Sequence, residues 1–161
     1  MLEGDSTLSQ SGSVTWPSPD LNGNALTLNV DNMTLNGAQS IGTGESLSSS
    51  SSNLYLNDNL TIGNGGILSS DNGSVTISSG LALNNGGTLS SGIGQVQIGG
   101  ALTLTGELRQ GSGILHLIGG GTVGSTGRLD VSNSELKLGS ALSFAGTVSY
   151  THLTLPTNRE V

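Results

Sequence analysis

Leu54-Tyr-Leu-Asn-Asp-Asn-Leu-Thr-Ile-Gly-Asn-Gly-Gly-Ile-Leu68 is the stretch from which the fold of this chain can be worked out. Its apolar residues come in pairs two apart, Leu54/Leu56 and then Leu60/Ile62, and Asn or Gly follows each pair. A spacing of two puts both side chains on one face of a strand. A helix would need apolar residues three and four apart, and the Gly-rich breaks oppose it. The same line recurs 21 residues later as Val75/Ile77, Leu81/Leu83, Gly86-Gly87 and Leu89.

Extended outward, the shift of 21 aligns five apolar columns. Met33, Leu54, Val75 and Val96 form one, and Leu35, Leu56, Ile77 and Ile98 the next. Ile41, Ile62, Leu83 and Leu104 form a third; Leu47, Leu68, Leu89 and Leu108 a fourth; Leu60, Leu81 and Leu102 a fifth. The coil from Val96 is two residues short, after which the period resumes through Leu115, Leu117, Val123, Leu129, Leu136, Leu138, Leu142 and Phe144. From Met33 to Phe144 only Gln39 and Gly121 break the columns. One such unit cannot bury its apolar face alone, whereas stacked copies can. The expected fold is therefore all-β: a β-solenoid of about 21 residues per coil, with three short strands in each. Five to six coils at a strand spacing of about 4.8 Å would make a rod roughly 25–30 Å long.

The turns agree with this frame. Gly23, Gly44, Gly65 and Gly86 form a column, Asn36 shares a corner with Asn57, and Asn64 shares one with Asn85. Gly and Asn tolerate the positive φ of sharp corners. The register also sets Glu107 over Arg128 and Arg109 over Asp130, which predicts cross-strand ion pairs worth about 0.2–1 kcal/mol each.

Composition narrows the function classes. With 161 residues there is room for one domain, and 9% charged residues is far below the roughly 25% of an average globular chain, so disorder driven by charge is excluded. The net charge is −7, but the acids are scattered and Lys/Arg form no cluster, which argues against nucleic acid as a partner. No apolar run approaches the roughly 18 residues of a membrane span, so no membrane insertion of this segment is expected. The start, Met1-Leu-Glu-Gly-Asp5, shows no basic-then-apolar signal pattern.

Both ends depart from the repeat. Residues 1–25 suggest an irregular N-terminal segment or a partial first coil containing Val14, Trp16, Pro17 and Pro19, with Trp16 in a capping or packing role rather than as a ligand platform. The serine run at 48–52 is expected to be a corner or a frayed surface strand. Residues 148–157, VSYTHLTLPT, are similar to the translated transposase end of a sequencing-library adapter, with Asn158, Arg159 and Glu160 standing where an index would fall. On that expectation 148–161 is a non-native tail, His152, Arg159 and Glu160 carry no function, and the solenoid proper spans 26–147 and continues at both ends in a longer protein.

Catalytic, cofactor and metal chemistry finds no candidate residues. There is no Cys, no His/Asp/Glu cluster at metal spacing, and no nucleophile–base set. His116 stands alone on an outward position. Gly119-Gly120-Gly121 lacks the Lys-Ser/Thr of a phosphate loop, and Gly65-Gly66 and Gly86-Gly87 lack the Asp of calcium-binding repeats. Asp31, Asp58, Asp71 and Asp130 do not stack as the acids of a polysaccharide lyase would. Nor do Thr27, Thr34, Thr61, Thr76 and Thr103 make the regular row of an ice-binding face.

The pattern from Leu54 to Leu68 resembles the passenger regions of bacterial autotransporters and filamentous-haemagglutinin-like adhesins, over about residues 26–147. That resemblance implies a right-handed parallel β-helix, display at the bacterial surface or outside the cell, and a non-catalytic adhesive role. It also implies host or cell-surface glycans or matrix proteins as partners. A different class remains open: scaffold coils of a carbohydrate-active β-helix enzyme whose active site lies elsewhere.

Overall fold

The computed structural model describes residues 1–154. It is a parallel β-solenoid of about 7 turns with roughly 21 residues per coil. Two long strands open it, β1 (Ser6–Pro17) and β2 (Ala25–Asn36). Four coils of three short strands follow: β3 (Gln39–Ile41), β4 (Ser46–Ser49), β5 (Asn53–Leu56); β6 (Leu60–Ile62), β7 (Ile67–Ser70), β8 (Val75–Ile77); β9 (Leu81–Leu83), β10 (Thr88–Ser91), β11 (Gln95–Ile98); β12 (Leu102–Leu104), β13 (Glu107–Gln110), β14 (Ile114–Leu117). The chain then runs through β15 (Gly121–Val123), the long β16 (Arg128–Leu138), β17 (Leu142–Phe144) and β18 (Thr147–Thr154).

These strands make three faces. On the first face β4, β7, β10 and β13 stack in parallel, and on the second β5, β8, β11 and β14 do the same. Below, β2 pairs with both β4 and β5; above, β16 pairs with both β13 and β14. Each long strand thus crosses the corner that the coils between them turn with a loop. The third face is β3, β6, β9, β12, β15 and β17. The stack has more turns than the apolar columns alone indicate, because β1 pairs with β2 and β18 with β16. An open parallel edge accepts extended segments of many compositions, and residues 147–154 pair on that of β16. Residues 155–161, with Pro156 and the Asn158-Arg159-Glu160 stretch, lie outside the described residues.

The columns are the core. Leu54, Val75, Val96 and Leu115 are partners in register and at most 1% exposed, as are Leu60, Leu81 and Leu102 on the third face. Full burial of one such side chain contributes roughly 1.5–3 kcal/mol. Burial weakens toward the top of the described stack, where Leu138 and Leu142 are half-buried and Phe144 is 50% exposed. Trp16 pairs with Leu35 and packs, half-buried, against the bottom of the core. Gln39, the polar break in the fifth column, is buried and donates through Nε2 to Gly37 O at 2.6 Å.

The corner from the third face to the first is a four-residue turn. Gly44, Gly65 and Gly86 occupy its third place with φ of 77, 74 and 81°, and the turns close through Glu45 N–H to Gly42 O, Gly66 N–H to Gly63 O and Gly87 N–H to Asn84 O. A positive φ there is what a type II turn demands of its third residue. The two missing residues of the short coil fall at this corner. Leu104 and Leu108 are joined by Thr105, Gly106 and Glu107 alone, and the Thr105 and Gly106 amides both donate to Leu83 O, at 2.8 and 3.0 Å.

The serine run at 48–52 is the end of a strand and the corner that follows it, not a frayed surface strand. Ser46–Ser49 is β4, and Ser49 and Ser52 point inward, 4% and 0% exposed. Ser49 Oγ accepts the Ser52 amide at 2.7 Å, and Ser52 Oγ bonds both the carbonyl and the amide of Val30. One rung up, Ser70 Oγ donates to Gly73 O at 2.9 Å. Short hydroxyl side chains can bond the nearby backbone at a corner in this way, whereas Ser91 Oγ, the next rung up, is buried with no partner among the described residues. Where β2 and β16 cross the corner as continuous strands, the inward places hold Leu28, Val30 and Val131, together with Ser134, whose Oγ donates to Gln110 O at 3.3 Å.

Candidate functional site

The described cations, Arg109, Arg128 and Lys137, all lie in the upper coils. On the first face a row of hydroxyls, Thr7, Thr27, Ser48, Ser69 and Ser90, runs up the rod to Arg109 and Asp130, and Ser149 follows on the next rung. Beside it Thr88 leads to Glu107 and Arg128. The register predicted from the sequence is the one observed, with Glu107 opposite Arg128 and Arg109 opposite Asp130. Arg128 Nε lies 3.3 Å from Glu107 Oε1 across the rungs. Bonds along the strands accompany it, Arg109 Nε to Glu107 Oε1 at 2.7 Å and Arg128 Nη2 to Asp130 Oδ2 at 3.4 Å. Both guanidiniums are about half exposed (52% and 51%), so solvent weakens these pairs. Arg128→Glu is expected to lower the melting temperature slightly, equivalent to at most about 1 kcal/mol, by placing three carboxylates together. Thermal melts at low and high salt check this: the loss should shrink as salt rises.

Two hollows flank this quartet. The short corner leaves a notch of about 310 Å³ between the longer corners below and above it, lined by Asn85, Gly86, Thr105, Glu107, Thr126 and Arg128 among others. Thr126 Oγ1 spans it, donating to Thr105 O at 2.9 Å. At the other edge Ser90, Arg109, Gly111, Asp130 and Asn133 border a hollow of about 280 Å³. Around that corner, on the second face, Ile93, Gln95, Ile114, Asn133 and Glu135 line a groove of about 650 Å³. Ile93 is 62% exposed there, an apolar wall beside a carboxylate and two amides.

The remaining residues singled out from the sequence are dispersed. His116 stacks between Gln97 and Lys137 on the outer second face. Asp31 Oδ2 accepts the Gly12 amide at 2.8 Å and Asp58 Oδ1 the Asn59 amide at 2.7 Å, while Asp71 sits exposed at a corner. Among the described residues no group of three His, Cys, Asp or Glu is placed to hold a metal. Gly120 and Gly121 take φ of 69 and 148°, and a Cβ on either would strike the backbone of Ala141 or Leu102, so the triple glycine serves close rung packing. The Asn36–Asn57 corner is a ladder, with Asn57 Nδ2 donating to Asn36 Oδ1 at 2.8 Å.

Sequence reasoning missed the inward serines and the notch. The first carried a signal, since Ser49, Ser70 and Ser91 are themselves 21 apart. The second lay in the two-residue shortfall between Leu104 and Leu108. The site is thus a polar surface of stacked rungs with one charged quartet and shallow hollows around it, and no family model, curated protein or solved structure matches the chain.

Proposed function

We propose that the chain is a non-catalytic structural segment of a large surface-displayed or secreted bacterial adhesin, a rod that carries many weak polar contacts along its length. What supports this reading is the continuity of the stack: about 7 turns whose outer rows are mostly Ser, Thr, Asn and Gln, repeated at the rung spacing. A repeated row offers the same contact several times over. Weak contacts presented together gain avidity without any one of them being strong. The upper coils, with Glu107, Arg109, Arg128 and Asp130, are the most chemically differentiated part of that surface.

The test is binding by many copies against binding by one. Beads densely coated with the chain are expected to be retained on arrays of cell-surface glycans or matrix proteins from which the free monomer washes off. Turnover of a polysaccharide by the purified chain would overturn the reading, as would an absence of retention at any coating density.

A further inference from the structure

We propose that Asn85 is a site of spontaneous covalent modification, at which the side-chain amide is converted to a carboxylate through a cyclic imide formed with Gly86. The reaction balances with water alone. The Gly86 nitrogen, having given its proton to solvent, attacks Asn85 Cγ; an N–C bond forms, the C–NH2 bond breaks and ammonia leaves. Water then opens the five-membered imide at one of its two carbonyls. The products are aspartate or its isomer with the β-carbon in the main chain, and either adds one negative charge to the notch that Glu107 and Arg128 line.

The chain holds five Asn-Gly pairs, at Asn22, Asn36, Asn64, Asn72 and Asn85, and the structure separates them. Attack needs a free Asn side chain and a following amide that solvent can reach. At Asn22 both are engaged: Nδ2 donates to Leu2 O at 3.2 Å, and the Gly23 amide to Glu45 Oε1 at 3.0 Å. Asn36 is held by Asn57 at 2.8 Å. At Asn64 the Gly65 amide donates to Gly86 O at 3.0 Å, and the side chain is pinned beneath Gly86, where an added Cβ would collide with Asn64 Oδ1. Asn72 is exposed, but Gly73 is buried against the Ser52 carbonyl of the rung below. Asn85 alone of the five combines a side chain without a hydrogen bond and an exposed successor whose N–H has no partner among the described residues.

The cause is the short corner. Asn64-Gly65 is covered by Asn85-Gly86 one rung above, whereas Asn85-Gly86 faces the two-residue gap beside Thr105 and Gly106. The same dipeptide in the same turn, one rung apart, is therefore its own control.

The full chain would be incubated at mildly alkaline pH, and acid formation at each Asn-Gly followed by peptide mass mapping, with the isomeric product identified by an isoaspartate-specific methyltransferase. A hydrogen bond of about 1 kcal/mol on the attacking amide corresponds to about fivefold in rate, so Asn85 should convert at least about fivefold faster than Asn64. Asn85→Ser should remove the fastest phase, and denaturant should bring the five sites to similar rates. Inserting Ser-Gly after Thr105, which restores a full corner, should slow Asn85 to the rate of Asn64. Equal rates at Asn64 and Asn85 in the folded chain, or faster conversion at Asn36 or Asn72, would overturn the proposal whether or not the insertion variant folds.

Discussion

Replacing Leu83 by aspartate is expected to abolish cooperative folding. Leu83 is 0% exposed and lies in register between Ile62 and Leu104 on the third face. A carboxylate there would face stacked aliphatic side chains, with no described cation on that face to pair with it. Burying an unpaired charge costs several kcal/mol, on top of the roughly 2–5 kcal/mol lost with the leucine itself. Domain stability is typically about 5–15 kcal/mol in all. The neighbouring Ala82→Asp is the matched control, since Ala82 points outward between Thr61 and Thr103 and should change stability by less than about 1 kcal/mol. Circular dichroism melts of the two variants decide the matter. A cooperative melt for Leu83→Asp close to that of the parent would show that the columns are not the core.

The second large effect comes from adding a single methyl group. Gly94→Ala should lower stability by about 3 kcal/mol, the upper end of the cost of overpacking. Gly94 sits at the corner between the first and second faces, directly over Gly73, and a Cβ there would strike the Gly73 carbonyl. That obstacle is backbone held by rung hydrogen bonds, so it cannot turn aside as a side chain would. Gly4→Ala is the contrast, because a Cβ at Gly4 meets nothing within 4 Å. Chemical denaturation should separate the two clearly. Equal midpoints would mean that the rungs can part at this corner without loss.

These two predictions also mark what could be foreseen from the amino-acid order. Leu83 was legible because burial recurs at a fixed interval and apolar residues are otherwise sparse. The opposition of Glu107 to Arg128 was legible for the same reason: register follows from period. Ser52 was not, since a serine that bonds the backbone inside a corner has the same composition as one on the surface; Ser49 does recur at Ser70 and Ser91, but a repeated serine suits either side of a strand. The turns formed by β1 and β18 were obscured because their offsets are not the period of 21: Leu8 partners Leu28, Val14 partners Met33, and Val148 partners Leu129. The bond from Arg109 to Glu107 within one strand depends on side-chain conformations that spacing does not fix. The notch was visible only as a gap in counting until the fold gave that gap a position beneath Thr126 and above Asn85.

The hydrogen bonds between rungs all run along the axis of the rod, and this governs how the molecule answers a pull. A force applied at one end loads the outermost rung first and alone, so the bonds break in sequence, as a zip opens, and not together. Each coil that peels away releases roughly 70 Å of extended chain while shortening the rod by about 4.8 Å. Such a tether lengthens in small, repeated steps at modest tension and keeps the remaining coils intact. The continuous strands β2 and β16, which hold the first and second faces together across a corner, bracket the section that would yield last.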